Sequence, residues 1–357
     1  MDALISKCSG LRKAIEQELK LDGEWDSDTA HLQRKLSEKF DELQLTKWKR
    51  LIDRLPFEEA KRHRTLCLGS AAEPDAALWL DCGRGRARSN WNREWDSHWF
   101  GMAVQFTLGV NLFRTFDRCV VCRQDAAYGD HYLHALHGKF TQGRTQAVLK
   151  LLSGWIKRFF GVPVRREDRG NKDLQRREGD ISFATVMKMP DGRLFIDHTC
   201  RSDLAHQDAT LKYAEAKLMK AGGPHSLASD AEEAKMANYV PGYKKRQNPL
   251  SVEQAATELF NPCKIGRFDG VNCYFYGISS SLFGGLGPRF KALIDVLAEQ
   301  AYYNRTFKSI TQARRSLIGE MVRTQMEHCM MTLSDYQTGR VRPSEHRHCP
   351  KDASETE

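Results

Sequence analysis

Apolar residues recur at three and four spacing through "LRKAIEQELKL" and "HLQRKLSEKFDELQ", which predicts a charged, amphipathic helical region over residues 1–64. Residues 65–118 continue in helical style. Trp91, Trp95 and Trp99 fall four apart, on one helix face, where a stripe of this kind serves packing before it serves base stacking. A strong helix is predicted from Gln142 to Phe160, with Val148, Leu151, Leu152, Trp155, Ile156 and Phe159 on one face and "GVP" as its stop. The pattern then alternates. "VPVRRE" predicts a short strand, "DISFATVMKM" a second, and "RLFIDHTC" its hairpin partner across the tight turn "PDG". Two helices follow, "DATLKYAEAKLMKAG" and "SDAEEAKMANY", the latter with Ser229 and Glu232 at capping-box spacing. "VNCYFYGISS" predicts another strand, and "GGLGP" opens a helix from Pro288 to Tyr303. A C-terminal helix over 311–338 and a polar, disordered tail over 339–357 complete the expectation. The chain therefore predicts an α+β protein: helices at 1–64 and 65–118, a small Cys/His motif at 119–140, and an α/β core at 141–310.

Composition narrows the partners. The formal charge of +9 over 357 residues points to an anionic partner, nucleic acid first. No apolar run approaches the ~20 residues that span a bilayer, and the polar N-terminus does not read as a signal peptide. The expectation is a nuclear or cytoplasmic protein, not secreted and with no membrane partner. Ten cysteines, mostly scattered with one close pair, fit free thiols in a reducing compartment.

That close pair opens "CVVCRQDAAYGDHYLHALHGKF". Cys119 and Cys122 have the spacing at which two thiolates grip one zinc from a tight turn, and His131 can return from the next element. His137 is the first choice for the fourth ligand, and His134 is its rival. Two thiolates with one or two imidazoles close a tetrahedral shell, so the reading is a structural zinc rather than a catalytic one.

A second constellation is acidic. Asp180 opens one predicted strand and Asp197 lies in its hairpin partner. Alternation turns Asp197 and Thr199 to one face and His198 to the other. An acid inside "LFID" is costly unless it meets a metal or a cation. Two carboxylates on adjacent strands make an oxygen site suited to Mg²⁺, with Glu167 as a third acid and Lys235 to orient water or neutralise charge. Arg165, Arg166, Arg169, Lys172, Arg176 and Arg177 run from the preceding strand towards Asp180 and supply candidate phosphate contacts. The plainer alternative is a turn aspartate at 180 and a salt-bridged aspartate at 197.

The ordered set "CVVC", "GDHYL", "GVPVRRE", "EGDISF", "GRLFIDHT", "EEAKMANY" and "GGLGP" resembles the C-terminal region of site-specific non-LTR retrotransposon proteins and their degenerate relatives, over roughly Trp79 to Tyr303. Those proteins carry a CCHC-type zinc motif followed by a restriction-endonuclease-like domain with a mixed sheet. By this resemblance Asp180 and Asp197 match the paired acids and Lys235 the catalytic-helix lysine. Tyr239 matches the tyrosine four residues further on, and Cys119, Cys122 and His131 match the first three zinc ligands. The implied activity is nicking of double-stranded target DNA, which primes reverse transcription of element RNA. The implied partners are that DNA, the element RNA and a separate reverse transcriptase. The chain departs from the pattern at Gly179 (proline in the family), Thr199 (lysine in ordinary restriction-like nucleases), Ala135 (near the absent fourth cysteine) and Thr145-Gln146 (a His-Asn pair). It shows no polymerase signature of paired aspartates. The expectation is a Mg²⁺-dependent DNA endonuclease of retroelement origin braced by zinc; the alternative is an inactive zinc-braced nucleic-acid-binding derivative.

Overall fold

The computed structural model describes residues 46–56, 61, 64–65, 67, 78, 97–109, 112, 133, 139–166, 179–186, 189–201, 227–246, 248 and 250–337. The chain separates into two compact units, Met1–Thr65 and Leu66–Glu357. The described part of the first holds a helix over residues 46–53. The expected helices at 11–21, 31–44 and 208–222, the cysteines and histidines of the Cys/His motif, and the tail lie outside the described residues.

The second unit is α+β. Its elements are α1 (Ser97–Thr107), α2 (Lys139–Phe160), β1 (Val164–Arg166), β2 (Ile181–Ala184), β3 (Arg193–Arg201), α3 (Leu227–Tyr239), α4 (Val252–Phe260), β4 (Cys263–Phe268), β5 (Val271–Ser281), α5 (Pro288–Tyr303) and α6 (Ile310–Gln337). The strands form one mixed sheet in the order β1-β2-β3-β5-β4. All pairs are antiparallel except β3 with β5, which run parallel in register from Arg193↔Cys273 to Arg201↔Ser281.

Strand alternation sorts this sheet into two faces. Leu194, Ile196, Tyr274, Tyr276 and Ile278 join the large core made with α2, α5 and α6. Phe195, Cys273 and Phe275 turn the other way, onto Met236 of α3 and Val240 just beyond it. The predicted face of α2 is buried at Val148, Leu152, Trp155, Ile156 and Phe159, and Trp99 packs partly buried against the same core. Each fully buried side chain of this size stabilises the fold by about 1.5–3 kcal/mol.

Three differences from the sequence pattern have physical causes. Strand pairing in β2 stops at Ala184, because the chain turns there and sends Met189 into the core. α4 and β4 form where the pattern predicts no element. Ser251 and Gln254 make a capping box at the start of α4, and β4 is a half-buried edge strand with an irregular register at Gly266. Ser229 and Glu232 do not make a capping box: α3 already runs from Leu227, so Ser229 is internal. Glu232 instead crosses to the start of α5.

Its carboxylate accepts the backbone N–H groups of Ser279 (3.2 Å), Arg289 (2.9 Å) and Phe290 (3.0 Å). It thus caps the orphan donors and the positive end of α5 from a neighbouring helix. Gly287 is required there, since a Cβ would collide with the Glu232 carboxylate. Burial pushes the Glu232 carboxyl up to about 8, against the pull of Arg289 and the three N–H donors.

A second buried network ties α3, α4 and α5. The Arg289 guanidinium donates to Glu258 at 2.9 Å and to the Tyr243 hydroxyl at 2.7 Å, and lies 2.9 Å from Glu233. Arg246 closes the set against Glu258 and Glu233. Replacing Arg289 by Met strands two carboxylates around an apolar chain. The expected cost is about 3–5 kcal/mol, read as a lower urea midpoint. An unchanged midpoint would show that the network contributes nothing.

Candidate functional site

β2 begins one residue after Asp180, and Ile181 pairs with Ile196, so Asp180 stands beside Asp197 on the adjacent strand. The Asp180 backbone N–H donates to the Ile196 carbonyl at 2.9 Å. Its carboxylate accepts the next amide of β3, from His198, also at 2.9 Å. Asp197 points to the α3 face and is buried, and Lys235 of α3 donates to its Oδ2 at 2.6 Å. Tyr239, one helical turn on, stacks on Phe275 with ring centroids 4.6 Å apart. The Lys235 ammonium lies 5.8 Å from the Tyr239 ring centre.

What brings Lys235 so close is Gly277, the register partner of Asp197 in β5. A Cβ at Gly277 would sit 2.8 Å from the Lys235 Cβ, closer than two side chains pack. The lone glycine inside "YFYGISS" marks this approach of helix to strand.

Electrostatically the site carries, among the described residues, two carboxylates and one ammonium. Burial, then the hydrogen bond and charge of Asp197, push the Asp180 carboxyl up to about 7, against the His198 amide and Lys235. His198 turns to the other face. Its Nε2 lies 2.9 Å from the Ser280 hydroxyl, which also accepts from Gln325 at 2.6 Å. Burial lowers its imidazole to about 3, so it stays neutral, and among the described residues its Nδ1 has no hydrogen-bond partner.

The structure thus brings together Asp180, Asp197, Lys235 and Tyr239. Arg165 and Arg166 are exposed on β1, with Arg166 paired to Ile181 in the ladder and hydrogen-bonded to Gln146. Glu167, Arg169, Lys172, Arg176 and Arg177 lie outside the described residues, as do Cys119, Cys122, His131, His134 and His137. Among the described residues no group of three or more His, Cys, Asp or Glu side chains is placed to hold a metal. Asp180 and Asp197 offer hard oxygen donors side by side, at the start of β2 and in β3, a set whose chemistry suits Mg²⁺ rather than a thiolate-seeking metal. Sequence reasoning missed Gly277, Glu232 and the His198–Ser280–Gln325 contact. Only the glycine carried a local signal.

No protein-family model, curated protein or solved structure matches the chain. Among the described residues no helix is long and apolar enough to cross a membrane.

Two outcomes test this geometry. Gly277→Ala is expected to push α3 off the sheet and cost about 1–3 kcal/mol in urea unfolding, and a neutral result would refute the close approach. The second concerns Asp180. Its carboxyl has an ordinary value of 3.8 and stands near 7 in the fold, so between these values the native state keeps a proton that the unfolded chain has released. The stability this contributes is complete below pH 3.8, falls as pH rises between the two values, and is gone above about 7. Asp180→Asn has no such proton to lose. Its stability relative to the parent chain should therefore improve with rising pH in metal-free urea titrations. A gap independent of pH would contradict the acid pair.

Proposed function

We propose that the chain is a Mg²⁺-dependent DNA endonuclease of retroelement origin, with a restriction-endonuclease-like core in its second unit. The observation that carries this reading is the meeting of Asp180, Asp197 and Lys235 at one place on a mixed sheet, with Lys235 2.6 Å from Asp197. A purely structural ion pair needs one acid for one lysine. Here a second, half-buried acid is added, and a divalent cation would satisfy it.

Asp180 and Asp197 would hold the ion. When bound, Mg²⁺ supplies a Lewis acid for the phosphodiester and a lowered pKa for attacking water. Lys235 then stabilises charge developing on the phosphate or orients that water, and Tyr239 walls the lysine on its helix side. Arg165 and Arg166 stand exposed on β1 for phosphate contacts. Glu167 serves as a further acid, and Arg169, Lys172, Arg176 and Arg177 extend the basic stretch in sequence. Cys119, Cys122 and His131, with His137 or His134, hold a structural zinc in this reading. The partners are double-stranded DNA, with element RNA and a separate reverse transcriptase as further candidates, in the nucleus or cytoplasm.

A second reading, nucleic-acid binding without cleavage, draws on one observation. Lys235 already neutralises Asp197, and Thr199 stands where ordinary restriction-like nucleases place lysine. Nicking of supercoiled plasmid decides between them. The full chain is expected to nick in Mg²⁺ and not in EDTA. Asp197→Ala and Lys235→Met should each lose about a hundredfold or more while still binding DNA. Binding without nicking by the unmutated chain would select the second reading.

A further inference from the structure

The turn from α5 into α6 breaks a local rule. Helix α5 ends at Tyr302 and Tyr303, with Asn304 as its C-cap. The next residue, Arg305, has φ 56°, in the left-handed region. Its N–H donates to the Tyr302 carbonyl at 2.8 Å, and the Thr306 N–H reaches back to Ala301 at 2.9 Å. Glycine is the usual residue at this place in a helix stop, because any Cβ there is crowded. An arginine held in that conformation asks what its side chain does.

Its surroundings answer. Asn304 donates to the Phe159 carbonyl at 2.8 Å, which pins the turn to the last turn of α2. That turn of α2 carries Lys157 and Arg158, both exposed. Between Asn304 and Gly319 the sequence has Arg305, Lys308, Arg314 and Arg315 and no acid. Arg314 is paired with Asp295, while Arg305 and Lys308 are exposed. No acid stands in the first turn of α6, so its positive end is unopposed from its own helix. Tyr302 is 40% exposed and Tyr303 62%, with ring centroids 5.8 Å apart. The Tyr303 hydroxyl donates to Glu299 at 3.3 Å, which steadies that ring from its own helix.

Cations along a turn with two uncovered aromatic rings are the combination that holds an unpaired strand, phosphates on the cations and bases on the rings. A duplex would offer its phosphates but no base faces for the tyrosines. We infer that the α5–α6 corner, with the end of α2, is a binding surface for single-stranded DNA. Arg305, Lys308, Lys157 and Arg158 contact phosphates, and Tyr302 and Tyr303 stack on bases. The surface is separate from the acid pair. Glu232 ties the first turn of α5 to α3, and Tyr302 stands near the other end of that helix, about 20 Å along its axis from Arg289 at ~1.5 Å per residue. The choice of DNA rests on the function proposed above; the surface itself does not use the acid pair.

The test is fluorescence anisotropy of a labelled single-stranded DNA oligonucleotide of mixed sequence, with the full chain in EDTA over a salt series. Its duplex is the second probe. Replacing both Tyr302 and Tyr303 by Ala is expected to weaken single-strand binding about tenfold or more and duplex binding less. Arg305→Gly is expected to reduce the log–log salt slope by about 0.7, one phosphate contact, while its unfolding midpoint holds or rises. That opposite movement separates a binding role from a structural one. Unchanged affinity and slope in both variants, or equal losses on both probes, would overturn the proposal. Because EDTA is present, a chain that binds this strand yet never nicks plasmid overturns the nuclease reading alone. A chain that nicks plasmid while both variants bind as before overturns this one alone.

Discussion

A helix lies against a strand only as closely as the smallest side chain between them permits. In this fold that limit is set at Gly277, where α3 comes down onto the parallel pair β3 and β5. Four consequences share the one approach. Lys235 reaches Asp197, Met236 and Val240 bury Phe195 and Phe275, Glu232 reaches the start of α5, and Glu233 meets Arg289. None of these contacts is strong enough to place α3 alone. Burial of Phe275 contributes about 1.5–3 kcal/mol, and each hydrogen bond to a charged group contributes about as much. Their coincidence on one helix, at one height above the sheet, is what makes the arrangement cooperative.

The two charged clusters on α3 differ in balance, and the difference separates a brace from a site. In the first, Arg289 and Arg246 face Glu233 and Glu258, two charges of each sign, with Tyr243 filling the remaining bonds. Such a set closes on itself and needs nothing further. In the second, among the described residues, Asp180 and Asp197 face Lys235 alone. Burial makes the surplus negative charge costly, so Asp180 holds a proton until about pH 7. A cluster optimised for stability alone would not keep a second, half-buried acid beside the first.

Much of this was legible in the residues, and what was not had a common cause. Alternation and turn chemistry fix β2, the "PDG" turn and β3, and therefore the neighbourhood of Asp180 and Asp197. Helical period gives α5 and the end of α2 to the residue, while α2 starts at Lys139, three residues before the expected Gln142. α3 forms where the helix is expected, but the roles of Ser229 and Glu232 differ, because its polar residues follow tertiary partners rather than its own helix. Ser229 and Glu232 have the spacing of a cap, yet Glu232 serves the N-terminus of α5, far along the chain. Long-range pairing of this kind leaves no local signature. Edge strand β4 escapes notice for a different reason: it is half buried and interrupted at Gly266, so it shows neither a continuous apolar run nor clean alternation.

The surplus charge also has a direction. β3 puts Asp197 and His198 on opposite faces, and the imidazole behind the acids stays neutral because it is buried. No compensation therefore comes from this imidazole on the α5 and α6 side. On the α3 side Lys235 is already committed to Asp197. What remains is the end of the sheet where β1 closes at Arg166 and β2 starts at Ile181, paired across the ladder. The chain leaves this end and returns to it carrying Arg169, Lys172, Arg176 and Arg177 in its sequence. An excess of negative charge at Asp180 and an excess of positive charge entered at Arg165 and Arg166 meet at one edge. In the reading proposed above, a phosphate group there would face cations on the protein side and would approach the acids together with a divalent ion.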